Sequence, residues 1–323
     1  MNINNEYEIK ELKDGDFYVL IPLMEDCFGR TSNSEYFKWK YVDNPSGYVV
    51  GYYAKHRSTG EIAAYYGVIP ETYLIKGKET IIYQSCDTMT HSKHRRKGLF
   101  KALAFHCYEE LRKKNSLFII GFSGKMSTPG FIKFGWIQVS SLQNYFIPRL
   151  FSPFYKSKDL SNIKNISNYE DISHLLNHKY DVPNISVRAP LIYNWRISNP
   201  RYNYSTIAYK SNKGYTSYIT YNISDRKVNI IDFFYEKKDE FKKLLGYLFS
   251  SHAQKDLRGI VALVQQDSIF SNKLKKVGFL SNPFNFGPLS YKTPFIFYST
   301  EDNMKSFNNN SDWALTGFDY DSV

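Results

Sequence analysis

Hydrophobic residues recur along the chain with a helical period in some stretches and as short apolar runs in others, and this change marks the expected elements. The clearest helical repeat places an apolar residue at every fourth position, at Leu99, Leu103, Cys107 and Leu111. With charged residues between its members, it predicts an amphipathic helix that begins at Leu99. The apolar run 117–122 predicts a short central strand that is packed on both faces.

The rest of the pattern predicts a mixed α/β protein. One or two short helices over 24–44 precede strands at 49–55, 62–68 and 80–90, and the second of these strands is expected to end at Pro70. A short helix opens at Thr128 and Pro129 and ends at Gly135. In the second half, the pattern predicts strands at 217–223, 228–234 and 259–264 and a helix at 240–253.

Segments of the two halves resemble each other in the same order. The stretch YFKWKYVDNP at 36–45 resembles IYNWRISNP at 192–200, with Trp39 matching Trp195, and an aromatic strand follows each copy. The stretch IKFGW that ends at Trp136 resembles KKVGF that ends at Phe279. These echoes predict a duplicated unit. We expect a first domain over 1–148, a linker over 149–165, a second domain over 166–300, and an acidic tail over 301–323 that packs back on the fold.

Composition excludes a disordered chain and shows an uneven charge. Of 323 residues, 42% are hydrophobic and 23% charged, as in soluble globular proteins. Lys and Arg number 42 against 31 Asp and Glu, a formal net charge of +11. Residues 301–323 hold five acids and one lysine, so the excess positive charge lies in the first 300 residues. Such a field attracts polyanions, namely nucleic acid, anionic lipid or a phosphorylated small molecule.

Several classes of protein are disfavoured by what the sequence lacks. Three cysteines, an odd number, do not suggest a disulfide framework and favour a reducing compartment. No Cys/His cluster has metal-ligand spacing, so no metal is expected. The polar, acidic N-terminus does not resemble a signal peptide, and no apolar run is long enough for a membrane span. We therefore expect a cytoplasmic protein.

The stretch HRRKGLF at 94–100 is the sharpest chemical feature, because it joins the long strand to the amphipathic helix. Free backbone N–H groups and the helix dipole make such a helix start a site for anions. Gly98 allows close approach of a ligand to the main chain, and side-chain charge comes from Arg95, Arg96 and Lys97. The alternative is a solvated basic turn without a ligand.

The order strand, Arg-x-x-Gly, helix, apolar strand, short helix and Phe-Gly-Trp resembles the GNAT superfamily of acyl-CoA-dependent N-acetyltransferases. The segments 87–91, 121–136 and WKYVDNP at 39–45, with WALTGFDYD at 313–321, resemble one bacterial branch that is associated with surface-polysaccharide biosynthesis. The resemblance implies two GNAT-like domains, each a central mixed, mostly antiparallel sheet flanked by helices. It also implies acetyl-CoA, or another acyl-CoA, as cosubstrate.

In GNAT proteins the long strand separates from its neighbour at a bulge, and its backbone binds the thioester and pantetheine. The resemblance therefore implies contacts to acyl-CoA from the main chain near Met89, Thr90 and His91. The diphosphate is expected on the stretch that contains Arg95, Arg96, Lys97, Gly98, Leu99, Phe100 and Lys101.

Acid and base are less well defined. Asp87, on the long strand, or Glu71, after the preceding strand, is a candidate base for the acceptor amine. The family's tyrosine that protonates the leaving thiolate is replaced by Phe131. A hydroxyl that could replace it belongs to Ser123, Ser127, Tyr66 or Tyr83, or the acid is dispensable, because a thiolate is a tolerable leaving group.

The function expected from these features is acyl transfer to the amine of a small acceptor, with an amino sugar or a nucleotide-linked amino sugar as the leading class. The second half lacks an Arg-x-x-Gly stretch before its helix, so one CoA site is expected, in the first half. Two other functions remain open: a basic nucleic-acid-binding module and a non-catalytic acyl-CoA-binding protein. Scattered basic residues argue against nucleic acid as partner. The oligomeric state is not predicted.

Overall fold

The computed structural model describes residues 3–13, 15–29, 34–115, 118–157, 159–178, 180–252, 256–284, 286–299 and 307–320. Within these ranges the order of helices and strands is α1 (Ile3–Glu6), β1 (Tyr7–Glu11), α2 (Ile21–Phe28), α3 (Ser34–Phe37), β2 (Val50–His56), β3 (Ile62–Ile75), β4 (Lys78–Thr90), α4 (Leu99–Lys113), β5 (Phe118–Phe122), α5 (Thr128–Lys133), β6 (Ile137–Pro148), β7 (Ile163–Ile166), α6 (Ser173–Leu176), β8 (Asn184–Ser186), α7 (Pro190–Ile197), β9 (Ser205–Ser211), β10 (Gly214–Ser224), β11 (Lys227–Tyr235), α8 (Lys238–Ser251), β12 (Gly259–Gln265), α9 (Ile269–Lys276), β13 (Leu280–Ser281) and β14 (Lys292–Ser299). A π-helical turn, Lys38–Val42, follows α3. None of the described helices combines the length and hydropathy of a membrane span.

All fourteen strands belong to one mixed sheet. Its main path runs β1-β2-β3-β4-β5-β14-β6-β12-β11-β10-β9-β7, with β13 beside β6 and β8 beside β3. Adjacent strands are antiparallel except for two parallel pairs, β4 with β5 and β11 with β12. The α/β class and the mixed sheet flanked by helices agree with the sequence expectation.

The two halves of the sheet repeat one order of connections. Three antiparallel strands, a long helix, a parallel strand and a short helix occur as β2-β3-β4-α4-β5-α5 and again as β9-β10-β11-α8-β12-α9. The last strand of each unit is exchanged, because β14 pairs with β5 and β6 pairs with β12. The sequence division at 148 placed β6 in the first unit and β14 in the second, and it gave no sign of this exchange. The division itself stays a prediction.

The amphipathic helix predicted from Leu99 is confirmed as α4. Its four repeat positions are at most 1% exposed and pack on the face of the sheet that Tyr66 and Val68 supply. The opposite face is covered by α2, α3 and the π-helical turn, whose apolar side chains pack on Tyr65, Cys86 and Met89. Both faces of the β3–β4 pair are therefore buried.

The expected end of the second strand at Pro70 is wrong, because β3 continues to Ile75. Pro70 pairs with Tyr83 of β4 on one side. On the other side of β3, pairing with β2 extends only to Val68, and pairing with β8 starts only at Tyr73, so Pro70 lies in the gap between them. A proline is tolerated at such a position because no neighbouring strand needs its missing N–H group.

Candidate active site

β4 separates from β5 in its last five residues. The two strands pair only from Tyr83 to Ser85, opposite Ile119 to Gly121. Immediately afterwards the register between β3 and β4 shifts, so that Asp87 and Thr88 together lie opposite Tyr66. Asp87 has a φ of 47°, in the left-handed region that non-glycine residues seldom occupy, as expected of a bulge. The β4 main chain next to β5 is therefore open over residues 86–90.

The predicted contacts of the acyl group lie on this open stretch. Met89 and Thr90 still pair with β3, opposite Tyr65 and Ala64, and the His91 N–H group donates to the Ala63 carbonyl. One edge of the stretch is thus fixed by β3, while the other edge is free of β5. Fixed main-chain groups at an opening of this kind can bind a carbonyl or an amide of a ligand without reorganisation.

The basic loop after β4 leads into the N-terminus of α4. Gly98 has a φ of 80° and precedes the helix, with no side chain capping it. The first helical bond runs from the Ala102 N–H group to the Gly98 carbonyl, at 3.1 Å. The N–H groups of Leu99, Phe100 and Lys101 therefore lack a carbonyl one turn earlier and are directed outward. This geometry is that of an anion site at a helix start.

The three cations of this loop differ in their surroundings. Arg95 and Arg96 are exposed, and Arg96 has a φ of 64°. Lys97 instead forms a 3.0 Å ion pair with Glu6 and lies 5.5 Å above the Tyr7 ring. Arg95 Nε donates to the Thr90 carbonyl at 3.4 Å, and the exposed guanidinium groups of Arg95 and Arg96 can still meet an anion, while Lys97 attaches the loop to the first strand.

Phe100 and Lys101 face different surroundings. The Phe100 ring lies 5.1 Å from that of Phe131 and 5.0 Å from that of Phe134, so it joins α4 to α5. Lys101 is exposed on the outer side of α4, with its ammonium group 5.7 Å from the Phe105 ring. Phe100 thus closes one side of the opening with an apolar wall.

Two histidines fix the start of the loop to its neighbours. His94 is buried between Tyr7, whose hydroxyl is 2.8 Å from Nδ1, and Glu61, whose carboxylate is 2.9 Å from Nε2. His91 Nε2 lies 3.3 Å from Glu61 and 3.6 Å from Asp26. The Asp26 carboxylate also accepts from the Ser92 N–H and hydroxyl groups, and the Ser92 N–H bond is the main reason why the pKa of Asp26 is lowered.

Glu61, His91 and His94 place potential metal-ligand atoms within 4.8 Å of one another. The spacing of these residues in the sequence did not indicate this cluster. The Lys93 N–H group donates to His91 Nδ1 at 3.3 Å. In a neutral His91 the proton is then on Nε2, and a protonated nitrogen is not a metal ligand. The contacts favour a hydrogen-bonded group that positions the loop.

Asp87, a candidate base, is held by the motif at 39–45. Lys40 Nζ lies 2.8 Å from Asp87 Oδ2, and the Lys40 side chain is fully buried. The Tyr41 hydroxyl donates to the same oxygen at 2.9 Å. Lys40 also donates to the Tyr36 hydroxyl, at 3.1 Å. The bulge is therefore anchored through its own carboxylate to the π-helical turn.

Glu71, the other candidate base, belongs to a different part of the sheet. It pairs with Ile82, five residues before Asp87 on β4, which corresponds to about 16 Å along the strand. Its carboxylate is buried and forms a 2.5 Å ion pair with Arg196 of α7. Glu71 thus joins the two halves of the chain at a distance from the opening.

The hydroxyl groups considered for thiolate protonation are also separated by the structure. Ser123 follows β5 and is 2.7 Å from the Thr128 hydroxyl, while Ser127 closes the same turn by donating to the Gly124 carbonyl. Tyr66 lies opposite the bulge, and its side chain is fully buried. Burial raises the pKa of Tyr66 well above its usual value and raises that of Tyr83 as well.

Phe131, at the position of the family's tyrosine, is 4% exposed. Its ring packs edge-on against Phe100 and against Trp136, at 5.1 and 4.9 Å. It therefore serves as an apolar contact beneath the short helix α5.

The acidic tail is part of the fold where it is described, over 307–320. Asp319 is 3% exposed and accepts from the Thr316 N–H group at 2.7 Å and from the Tyr73 hydroxyl at 3.2 Å. Its carbonyl accepts from Gln84 of β4 at 3.0 Å. These bonds hold the 3-10 turn that contains Asp319 against the sheet and leave the residue almost unexposed to solvent. Asp321, considered with it from the sequence, lies outside the described residues.

A contact between the matching tryptophans was not foreseen from the sequence. The rings of Trp39 and Trp195 stack 5.2 Å apart, and each indole N–H donates to the backbone carbonyl of the other tryptophan, at 2.6 and 2.7 Å. The pair joins the π-helical turn to α7. The shared Trp in the two echoing segments was the signal that could have suggested it.

Comparison with known proteins agrees with this geometry. Residues 8–139, fewer than half of the chain, match the model of the acetyltransferase (GNAT) domain. No curated protein sequence matches the chain.

Solved structures match over most of the chain. A probable N-acyltransferase from Enterococcus faecalis shares 14% identity, with 90% of this chain and 72% of that one covered and a TM-score of 0.69. A GCN5-related N-acetyltransferase from Anabaena variabilis shares 13% identity over 91% and 73%, with a TM-score of 0.66. Saccharomyces cerevisiae N-myristoyltransferase, solved with myristoyl-CoA, shares 11% over 91% and 79%, with a TM-score of 0.59. Residues 8–139 thus correspond to a GNAT acetyltransferase domain within a chain whose mixed α/β fold is that of these proteins.

Proposed function

We propose that the protein is an acyl-CoA-dependent N-acyltransferase, with acetyl-CoA as the leading donor. The observation that carries the proposal is that two features, the open end of β4 and the start of α4, are joined by one loop. The opened, bulged end of β4 leads directly through the loop at 91–98 to the uncapped start of α4. The first feature offers main-chain groups to a thioester and pantetheine, and the second offers N–H groups and Arg95 to a diphosphate.

In the reaction, the acceptor nitrogen forms a bond to the thioester carbonyl carbon and the carbon–sulfur bond breaks. The nitrogen gives up a proton, and the departing thiolate takes one. Tyr66 is our candidate for the donor of that proton, because it lies opposite the bulge and a phenol carries its proton at neutral pH. Ser123 is already paired with Thr128, which makes it the weaker candidate.

For the base we keep Asp87 before Glu71. Asp87 lies on the bulge itself, and both of its polar contacts, from Lys40 and from Tyr41, are made by Oδ2. We assign to Oδ1 the removal of a proton from the acceptor ammonium, directly or through a water molecule. Glu71 lies farther along the sheet and is committed to Arg196.

The acceptor class rests on charge and on the resemblance of the motifs. Among small amines, a nucleotide-linked amino sugar suits a protein with a formal net charge of +11, because a positive field attracts its phosphates, whereas an amino sugar without a nucleotide rests on the resemblance alone. The second half is proposed to be a degenerate GNAT-like unit without a CoA site. At the matching helix start, Asp239 and Glu240 lie in the first turn of α8, and Glu240 accepts from Thr216 and pairs with Lys237. The start of α8 therefore carries acidic groups, where α4 has Phe100 and Lys101.

The first experiment is a calorimetric titration with acetyl-CoA. The wild type is expected to bind with micromolar affinity, and Arg95→Glu is expected to lose binding. Arg112→Glu, the same charge reversal on an exposed residue in the last turn of α4, is the matched control and should bind normally. If neither acetyl-CoA nor longer acyl-CoAs bind the wild type, the proposal is wrong.

A thiol-release screen over amino sugars and nucleotide-linked amino sugars then tests catalysis. If Asp87→Asn and Tyr66→Phe each lower kcat for thiol release and change its pH profile, the assigned roles are supported. Binding without turnover on any amine would indicate an acyl-CoA-binding protein instead. Salt-sensitive binding to random-sequence DNA, without acyl-CoA binding, would favour the nucleic-acid module.

A further inference from the structure

Four large apolar side chains are exposed on two segments that adjoin β6 and that the proposed reaction does not use. The segments are the 3-10 turn Arg149–Tyr155 and the loop after β13. The exposed fractions are 80% for Leu150, 81% for Phe154, 58% for Phe284 and 72% for Phe286. We call these four residues the apolar rim. Side chains of this size rarely remain so exposed in a group unless they meet another surface.

The strand register places the rim at the same end of the sheet as the opening beside β4. β5 runs parallel to β4. β14 is antiparallel to both β5 and β6, so β6 runs in the same direction as β5. The C-terminal ends of β4, β5 and β6 therefore lie at the same end of the sheet. The turn that bears Leu150 and Phe154 follows the end of β6 directly.

β13 places the second segment beside the opening. It pairs with β6 at Tyr145 and Phe146, just beyond Gln143, where β14 stops, and so takes the next place on the side of the sheet that faces β4. The loop with Phe284 and Phe286 begins there. The rim therefore borders the opening on the side opposite β4.

Positive charge surrounds the rim. The Arg149 N–H group donates to the Arg258 carbonyl at 2.9 Å, and the Arg258 N–H group donates to the Arg226 carbonyl at 2.7 Å. Lys156, Arg226 and Arg258 are exposed. Of the acids close to them, Asp256 is paired with Arg226, and Asp225, which precedes Arg226 in the chain, is exposed. The stretch 280–291 contains no charged residue.

A cavity of about 240 Å³ opens next to the first segment. Its lining combines cationic groups with hydroxyls and includes Arg149, Lys156, Ser152, Ser157 and Ser250. Arg149 Nη1 and the hydroxyls of Ser157 and Ser250 donate to main-chain carbonyls, and Leu160 and Phe249 add apolar surface. The charges of the guanidinium and ammonium groups remain to attract a phosphate ester. The cavity thus adds a place for an anionic headgroup beside the exposed apolar side chains.

We propose that the apolar rim docks this end of the sheet on the surface of an anionic phospholipid bilayer, with the aromatic and leucine side chains among the acyl chains and the arginines at the headgroups. Exposed apolar side chains ringed by cations are the arrangement that holds a protein in a membrane interface. A protein partner of the same size would more commonly meet a rim of mixed charge. Docking in this orientation turns the opening beside β4 toward the bilayer.

The test is flotation of the full chain with vesicles, and it needs no acyl-CoA. Binding is expected to vesicles that contain phosphatidylglycerol, to be weak on pure phosphatidylcholine, and to fall with added salt. The double variant Leu150→Ser/Phe154→Ser should bind roughly tenfold less. Arg258→Glu and Lys156→Glu should each bind at least roughly fivefold less, because each loses a cation near the surface.

Leu191→Ser is the matched control, since Leu191 is 71% exposed but lies on α7, away from the rim. It should bind vesicles as the wild type does, and unchanged urea midpoints should show that all variants are folded. Equal binding to neutral vesicles, or equal loss in the control, would overturn the proposal. So would a change in molar mass by light scattering in the rim variants with vesicle binding unaltered, because the rim would then be a contact between two copies.

Discussion

The buried pair of Lys40 and Asp87 gives the sharpest test of how the opening is built. Replacing Lys40 with methionine removes the ammonium group that lies 2.8 Å from Asp87 Oδ2 but keeps a side chain of similar length. The Asp87 carboxylate, with a side chain only 10% exposed, would then keep Tyr41 as its donor and lose its cation. An unpaired charge in that position must find water or another partner.

The distance sets the size of the effect. At 2.8 Å and an effective dielectric constant of about 20, the direct attraction is about 6 kcal/mol, and the desolvation of both ions offsets part of it. Removal of one partner of a buried pair usually costs about 3–5 kcal/mol of the free energy of unfolding. We expect a loss of that size for Lys40→Met, together with weaker acyl-CoA binding, because the bulge loses its anchor.

Urea unfolding followed by tryptophan fluorescence measures the loss. Lys38→Met is the control within the same motif: Lys38 also pairs with an aspartate, Asp43, at 2.9 Å, but with its side chain 62% exposed, so the expected cost is below about 1 kcal/mol. The double variant Lys40→Met/Asp87→Asn should recover much of the stability, because no buried charge remains. Equal costs for the two lysine variants, or no recovery in the double variant, would refute the reasoning.

Three further predictions concern other parts of the structure. Gly98→Ala should cost about 1 kcal/mol of the free energy of unfolding and weaken acyl-CoA binding in calorimetry, because its φ of 80° is strained for alanine. Trp195→Phe removes the bond to the Trp39 carbonyl and should lower stability to urea by about 1–3 kcal/mol by leaving that carbonyl unpaired. The lowered pKa of Asp26 means that its bonds to Ser92 stabilise the fold above about pH 4, the usual aspartate value, and that this contribution is lost as the pH falls further. Asp26→Asn should therefore show a smaller loss of urea midpoint than the wild type between pH 5 and 3.

The elements set by local pattern were predictable. The repeat from Leu99 gave α4 at its observed start, and Arg95 to Gly98 gave an exposed basic loop before it, because both depend on residues a few positions apart. Pro70 was misread because proline ends a strand only where its N–H group would be needed. Whether the N–H group of residue 70 is needed depends on how far β2 and β8 pair along β3, and the residues near Pro70 do not encode that extent.

The sequence did not predict the ion-pair partners of the two candidate bases, because these partners are distant along the chain. Asp87 and Glu71 were each singled out as a candidate base. The structure joins each of them to a buried cation, Lys40 or Arg196, that is 47 or 125 positions away. Which cation meets which carboxylate follows from the sheet order, and no spacing rule supplies it. The bulge at Asp87 was expected only from the resemblance to GNAT proteins.

The exchange of β6 and β14 has a consequence for how the chain is made. β5, in the middle of the first half, has β14 as its antiparallel neighbour, and β14 begins only at residue 292. On a ribosome, the first half therefore remains without that strand until nearly the whole polypeptide has been synthesised. Until then the open edge of β5 is available to wrong partners, and pairings between segments so far apart in sequence form slowly. We expect a nascent chain halted before residue 292 to depend on chaperones, whereas a self-contained domain of similar length would fold as it emerged.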